Sequence, residues 1–300
     1  MLKYFIFEFS ISGVETFIFL PTLVMFIISI LTSMSGVSGA FILLPFQMSV
    51  LGYTTPGVSA TNFVYNIISI PIGICKYIRE HRISWSLFSI FSIGTLPGVL
   101  IGYYIRIFFL PDSKQFKFFA GIVLGYLAIQ TLYSTFKNFR EERNVNPNSI
   151  TQYKITKEKI GVLRCQVTFQ DVEYSFSTPY VFIVSLIVGI VGGAYGIGGA
   201  SFIAPFCINI LNFPVYIISG AALFSTWTTS IVAVLLYAFI PFNKTINTTP
   251  DWLLGIFFGL GGVIGIYWGT RLQKKVPITI IKVILGLAIA FISISYLNLL

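Results

Sequence analysis

Two short glycine-rich stretches carry the residue types best suited to chemistry. Gly-Val-Ser-Gly-Ala-Phe-Ile-Leu-Leu-Pro-Phe at 36–46 returns 160 positions later as Gly-Ile-Gly-Gly-Ala-Ser-Phe-Ile-Ala-Pro-Phe at 196–206. Glycine inside an apolar run weakens a helix and admits positive φ. Gly36, Gly39, Gly196, Gly198 and Gly199, with Gly192 and Gly193 just ahead, therefore predict helix breaks. The apolar run after a break opens with unpaired N–H groups and the positive end of a helix dipole. Such an end binds anions with backbone alone, and Ser33, Ser35 and Ser38 in the first copy and Ser201 in the second add hydroxyl donors. Close packing through small residues is the other use that such glycines have.

The stretches that follow carry polar residues in otherwise apolar sequence: Ser59, Thr61, Asn62 and Asn66 in one, Ser219, Ser225, Thr226, Thr228, Thr229 and Ser230 in the other. Polar groups in lipid need partners. A cluster facing the glycine stretches completes a hydrogen-bonding pocket, and Thr61, Asn62, Ser225 and Thr226 are the residues selected for it. The alternative for each hydroxyl is a bond to its own backbone four residues back. Arg106 and Arg271 lie just beyond Gly102 and Gly269 at the ends of corresponding helices. A guanidinium there either guides an oxyanion through paired donors or snorkels to the interface as an anchor. Lys117 and Lys282 share that choice.

Catalytic and metal chemistry have little to work with. His81 is the only histidine and sits in the loop-like run Arg79-Glu80-His81-Arg82; Cys75, Cys165 and Cys207 are far apart, with no C-x-x-C pair. No metal, disulfide framework or cofactor is expected. Gly36-Val37-Ser38-Gly39 resembles the G-x-S-x setting of rhomboid-type serine proteases, but a hydroxyl nucleophile needs a positioned base and the second copy has Gly198 at that place. An intramembrane serine hydrolase is thus the weaker alternative to a non-enzymatic role, and a membrane partner that merely presents a soluble segment is another.

The elements that would position these residues follow from composition. Apolar residues make up 56% of 300, charged residues 10%, and mean hydropathy is +0.87, which marks an all-α polytopic membrane protein. Runs long enough to cross fall at 57–78, 85–106, 116–136, 215–240, 252–271 and 278–297. The shorter pairs are 17–33 with 39–52 and 179–191 with 199–212, of which 39–52, 179–191 and 199–212 are too short to cross alone. Trp85 matches Trp252, Gly98 and Gly102 match Gly265 and Gly269, and Lys117 and Gly121 match Lys282 and Gly286. The chain reads as two homologous four-helix repeats, 14–136 and 179–300, of about eight transmembrane helices, with a broken or re-entrant glycine element in each. Internal duplication of this kind is the ground plan of secondary transporters.

Between the repeats, 137–178 alternates Val162, Arg164, Gln166, Thr168 and Gln170 against Leu163, Cys165, Val167 and Phe169, as a small extramembrane hairpin of two or three strands would; a partly ordered linker is the alternative. The net charge of +9 is scattered through loops, so lipid headgroups rather than nucleic acid are its partners. Glu8 and Glu15 precede the first long run with no small-residue cleavage site, so no removed signal peptide is expected. If each short pair is one interrupted crossing, Lys and Arg divide 12 to 6 in favour of the side of the termini; if it dips in and returns, the repeats are inverted and the division is 13 to 5 against it. The first arrangement, with 137–178 cytoplasmic, is the expectation.

The Gly-x-(Ser/Gly)-Gly-x-x-x-x-x-Pro-Phe pattern at 36–46 and 196–206, with Pro-Gly-Val-Leu-Ile-Gly at 97–102 echoed by Gly265 to Gly269, resembles the signature of the TauE/SafE family of sulfite exporters and four-TMS sulfur-related permeases. The resemblance runs from about 17 to 297. It implies a prokaryotic cytoplasmic-membrane carrier of small sulfur-containing anions, such as sulfite or sulfonates, with Gly36, Ser38 and Gly39 and Gly196, Gly198 and Gly199 flanking the translocation site. Ser38 stands where the second copy has Gly198, a departure from the family's glycine run.

Overall fold

The computed structural model describes residues 6–35, 38–141, 155–159, 161–169, 172–199, 202–203, 206–207, 215–240, 246–272 and 278–298. Among them are nine helices: α1 (Leu20–Ser35), α2 (Ala40–Ser49), α3 (Gly57–Arg79), α4 (Trp85–Phe108), α5 (Ser113–Glu141), α6 (Thr178–Tyr195), α7 (Val215–Phe239), α8 (Trp252–Leu272) and α9 (Ile278–Leu297). Seven of these are long and apolar enough to cross a membrane; α1 and α2 are shorter. Helices satisfy every main-chain group within the segment, the requirement that hydrocarbon imposes. Ile129, Phe136, Phe239 and Phe291 are each more than two-thirds exposed, so the outer surface is apolar, as contact with lipid requires.

The piece at 179–191 is longer than the sequence predicts. Gly192 and Gly193 stay helical, and α6 continues to Tyr195. The break falls instead at Gly196 (φ 94°) and Gly198 (φ 76°), both in the left-handed region. Gly193 meets the backbone of Val99 and Gly192 that of Gly198, so these two glycines serve close packing.

Glycine contacts also reveal how the helices run. A Cβ on Gly94, Gly98 or Gly102 of α4 would strike Phe182 and Ser185, then Leu186 and Gly189, then Ile190 and Ala194 of α6. Both series ascend, so α4 and α6 are parallel. Gly261, Gly265 and Gly269 of α8 meet Thr22, then Phe26 and Ser29, then Ile30 and Ser33 of α1 in the same way. The glycines matched by sequence therefore do matched work, each row seating the first helix of the opposite half. In α5 and α9 the matched Gly121 and Gly286 lie against Leu297 and Leu132, an antiparallel pair. On its other side α8 sets Gly255 and Gly259 against Val64 and Ile68 of α3, again in parallel, whereas α3 and α7 meet antiparallel through Gly73 with Leu223 and Gly220 with Tyr77.

These directions correct the interrupted-crossing expectation. α1 and α3 both run parallel to α8. α1 ends beside Gly269 while α3 begins beside Thr249, just before α8, so the segment between them must carry the chain back. Likewise α6 runs parallel to α4, and so does α7, which meets Phe88, Thr95 and Tyr103 of α4 with Phe224, Ser225 and Tyr237. The glycine segment between α6 and α7 returns too. α5 and α6 consequently place the 137–178 segment at the end of the molecule opposite the two termini.

That segment forms an antiparallel sheet of β3 (Ile155–Lys159), β4 (Arg164–Phe169) and β5 (Val172–Ser177), with Cys165, Val167 and Phe169 buried as the alternation predicts. It docks on α4. Ser84 caps that helix by accepting from Leu87 N, and Glu158 Oε2 accepts from both the N and the Oγ of Ser86 at 3.0 Å, a carboxylate at the positive end of the helix dipole. At the other end of the molecule, β1 (Ile6–Phe9) and β2 (Val14–Phe17) make a hairpin clasped by Asp251. This carboxylate, just before α8, is buried and accepts from Ser12 N, Ser12 Oγ and Leu254 N.

Candidate functional site

α3 assembles the polar centre. Ser59, Asn62, Asn66 and Ser69 recur at helical spacing, and all four are fully buried. Asn62 Nδ2 donates to the carbonyl of Ala40, at the start of α2, at 2.8 Å. One turn on, Asn66 Nδ2 donates to the carbonyl of Ile197 at 3.1 Å. The two glycine segments, 160 residues apart in sequence, are thus held about 5–6 Å apart along one helix. Tyr195 Oη, just before the second segment, donates to Phe41 O just after the first at 3.0 Å, and Ser59 Oγ donates to Ala194 O at 3.0 Å.

The backbone is open where these bonds converge. Among the described residues the N–H groups of Gly39, Gly198 and Gly199 have no acceptor. Around them lie unpaired side-chain acceptors as well: Gln47, fully buried, donates through Nε2 to Asn62 Oδ1 at 3.2 Å while its Oε1 is without a partner, as is Asn66 Oδ1. The site presents both donors and acceptors to whatever enters it.

The residues selected from sequence divide. Gly39 packs against Tyr65 Oη, Thr32 and Met25; Gly196 lies on the backbone of Ser59; Gly198 faces Thr226; Gly199 faces Thr95. Ser225 is 3.4 Å from Thr95 Oγ1, so it joins the wall of the second segment. Ser38 Oγ accepts from Ala40 N and its φ is not positive, whereas Gly198 is left-handed; the unmatched pair thus differs in backbone as well as side chain. Thr61 does not reach the glycine segments through its hydroxyl, which donates to Gly57 O, accepts from Asp251 N and pairs with Tyr53. Burial pushes the Tyr53 phenol well above its ordinary range, so it stays a neutral partner. Thr228 and Thr229 bond back to their own helix. Gly36, Ser201 and the side chain of Ser35 lie outside the described residues.

The two arginines part company through helical phase. Arg106 falls four residues after Gly102, on the face turned to α6, and is fully buried. Arg271 falls only two after Gly269, which turns it away; it is exposed and lies over the Tyr267 ring at 4.1 Å. Sequence reasoning did not find Gln47, Tyr65, Tyr195 or Thr95. Asn66 was visible but not selected, although its four-residue spacing from Asn62 in an apolar run was the available signal. Among the described residues no three His, Cys, Asp or Glu cluster as metal ligands. His81, beyond the end of α3, is roughly 20 Å along that helix from Tyr65, out of reach of Ser38 as a base. A cavity of about 300 Å³ on the side of the termini is lined by Thr54, Thr55, Pro56, Pro111, Ser113 and Asn247.

A polytopic helical chain whose buried polar residues converge on two interrupted backbone segments is built as a membrane transporter. It matches the family model of the sulfite exporter TauE/SafE over residues 22–296, and it belongs to that family. It is similar to the probable membrane transporter protein YunE of Bacillus subtilis (strain 168), 23% identical over 269 residues that cover 84% of this chain and 89% of the relative. The probable membrane transporter protein YjnA of the same organism is 21% identical over 245 residues, 82% of this chain and 86% of the relative. No solved structure matches. The protein is a multi-pass membrane transporter, not an enzyme.

Proposed function

We propose that the protein carries small sulfur-containing anions, of the sulfite or organosulfonate class, across the cytoplasmic membrane of a prokaryote. The observation that carries this reading is the pair of glycine segments fixed one turn apart on α3, with the N–H groups of Gly39, Gly198 and Gly199 lacking an acceptor among the described residues. Backbone donors of this kind suit an oxyanion, and the unpaired Gln47 Oε1 and Asn66 Oδ1 can accept from its bound water or hydroxyl. The opposite directions of corresponding helices support two inverted repeats, 14–136 and 179–300, that rock about the site to expose it alternately to each side. The buried carboxylate of Asp251 is occupied by three donors, so among the described residues it is not free to relay protons, and in this reading the gradient with the membrane potential supplies the drive.

Counterflow in proteoliposomes tests the reading. Sulfite and simple sulfonates loaded inside should accelerate uptake of labelled sulfite, while small carboxylates should do so weakly. Uptake equal to that of protein-free vesicles for every sulfur anion, with purified and folded protein, would reject it.

A further inference from the structure

Among the described residues the largest fully buried side chain is a cation without an anion. Arg106 has no exposed surface, stacks over the Phe116 ring at 3.7 Å and donates one Nη1 bond to the carbonyl of Leu110. Its Nε and Nη2 are buried and have no partner. Among the described residues the single ion pair joins Arg82 to Glu80, remote from this site. A buried charge is costly unless something compensates it, and two idle N–H donors on one guanidinium edge match the paired oxygens of an oxyanion.

The surroundings tie Arg106 to both the centre and the outside. The Tyr237 phenol is near enough to feel the guanidinium charge, and it donates to Gly193 O at 3.1 Å, on the last turn before the second glycine segment. In the other direction Leu110, the acceptor of Arg106, immediately precedes Pro111 in the wall of the 300 Å³ cavity. Phe116, beneath the guanidinium, sits 6.3 Å from the Tyr195 ring, which reaches across to α2.

We infer that Arg106 is a second anion-binding station, in which the Nε and Nη2 edge holds a substrate oxyanion between the cavity on the side of the termini and the glycine segments. The inference rests on the transport reading above and adds to it a residue, a side of the membrane and a charge requirement. Here the guanidinium is a waiting cation, and the anion supplies the compensation that the protein does not.

Thermal unfolding of the purified full chain, with and without sulfite, sulfate, methanesulfonate and acetate, tests this. Ligand stabilisation grows as the logarithm of one plus concentration over Kd. In Arg106→Gln the ligand-free protein should melt no lower than wild type, because an uncompensated charge has gone, and the affinity for sulfur oxyanions should fall at least tenfold. Arg106→Lys, which keeps the charge but loses the paired edge, should retain a weakened shift, and Arg271→Gln should bind as wild type does. A purely structural arginine would give the reverse, a lower melting temperature and an unchanged Kd, and either result overturns the inference. Loss of binding in Arg271→Gln to the same degree would overturn it as well. If no anion stabilises wild type, the transport reading falls together with the station; if anions bind Arg106→Gln with wild-type affinity, only the station falls.

Discussion

Asn66 holds the second glycine segment directly, through its bond to Ile197 O, one turn from the hold that Asn62 has on the first. Asn66→Asp is nearly isosteric but places a carboxylate beside the proposed anion. Affinity for sulfite should drop at least tenfold while the protein still folds, and unchanged affinity in a binding titration would remove Asn66 from the site. Gly198 makes a separate demand. Its φ of 76° costs an L-residue about 1–2 kcal/mol, and a Cβ there would lie 2.4 Å from Thr226 Cγ2. Gly198→Ala should lower the melting temperature and slow transport. Adding Thr226→Ser, which deletes that methyl, should recover part of the loss, whereas no recovery in the double variant would show that the contact is unimportant. Gly52→Ala isolates the backbone cost, since Gly52 has a φ of 70° with nothing within 4 Å of its Cβ.

Small-residue rows set the distances between helices. Gly94, Gly98 and Gly102 lie against Ser185, Gly189 and Gly193, the small-xxx-small arrangement that allows backbones to touch. A Cβ on Gly98 would meet Leu186 O at 2.4 Å, so Gly98→Val should force α4 from α6 and cost about 1–3 kcal/mol, read as a lower unfolding midpoint in detergent; a wild-type midpoint would count against the contact. The linker sheet is an element with its own anchor. Burial raises the Cys165 thiol above its ordinary value, with nearby Glu158 adding to the effect and hydrogen bonds opposing it, so the docked sheet should hold this cysteine unreactive. Glu158→Ala removes the carboxylate from the start of α4, and Cys165 should then react with a maleimide several times faster. An unchanged rate would mean that packing of Val167 and Phe169 holds the sheet without it.

Orientation belongs to the whole molecule. The returning glycine segments leave both termini at one end and the linker sheet at the other, and 13 of the 18 basic residues outside α9 then fall on the linker side. The positive-inside rule then predicts a linker that faces the cytoplasm. In a chain otherwise lacking cysteine, Glu80→Cys on the linker side should be protected from a membrane-impermeant maleimide in intact cells. Lys114→Cys, on the side of the termini, should be labelled; the opposite pattern would reverse the assignment.

Much of this architecture was legible because lipid is a demanding solvent. Runs such as 57–78 and 252–271 had to be helices, since no other local structure satisfies the backbone there, and the recurring glycines marked the two segments that α3 brings together. Sheet alternation in 162–170 predicted which face of β4 is buried for the same kind of reason, a local period imposed by a local geometry. What the chain could not announce were relations between elements. Gly192 and Gly193 remained helical because Val99 and Gly198 pack on them, and Thr61 was drawn to Asp251 by an encounter across 190 residues. Arg106 and Arg271 look alike in sequence, yet a two-residue difference in phase buries one and exposes the other. Composition and periodicity thus determined that the chain is a helical membrane protein with two special segments; only tertiary packing decided the return of those segments, their meeting on Asn62 and Asn66, and the burial of one arginine, because each depends on which faces of distant helices come into contact.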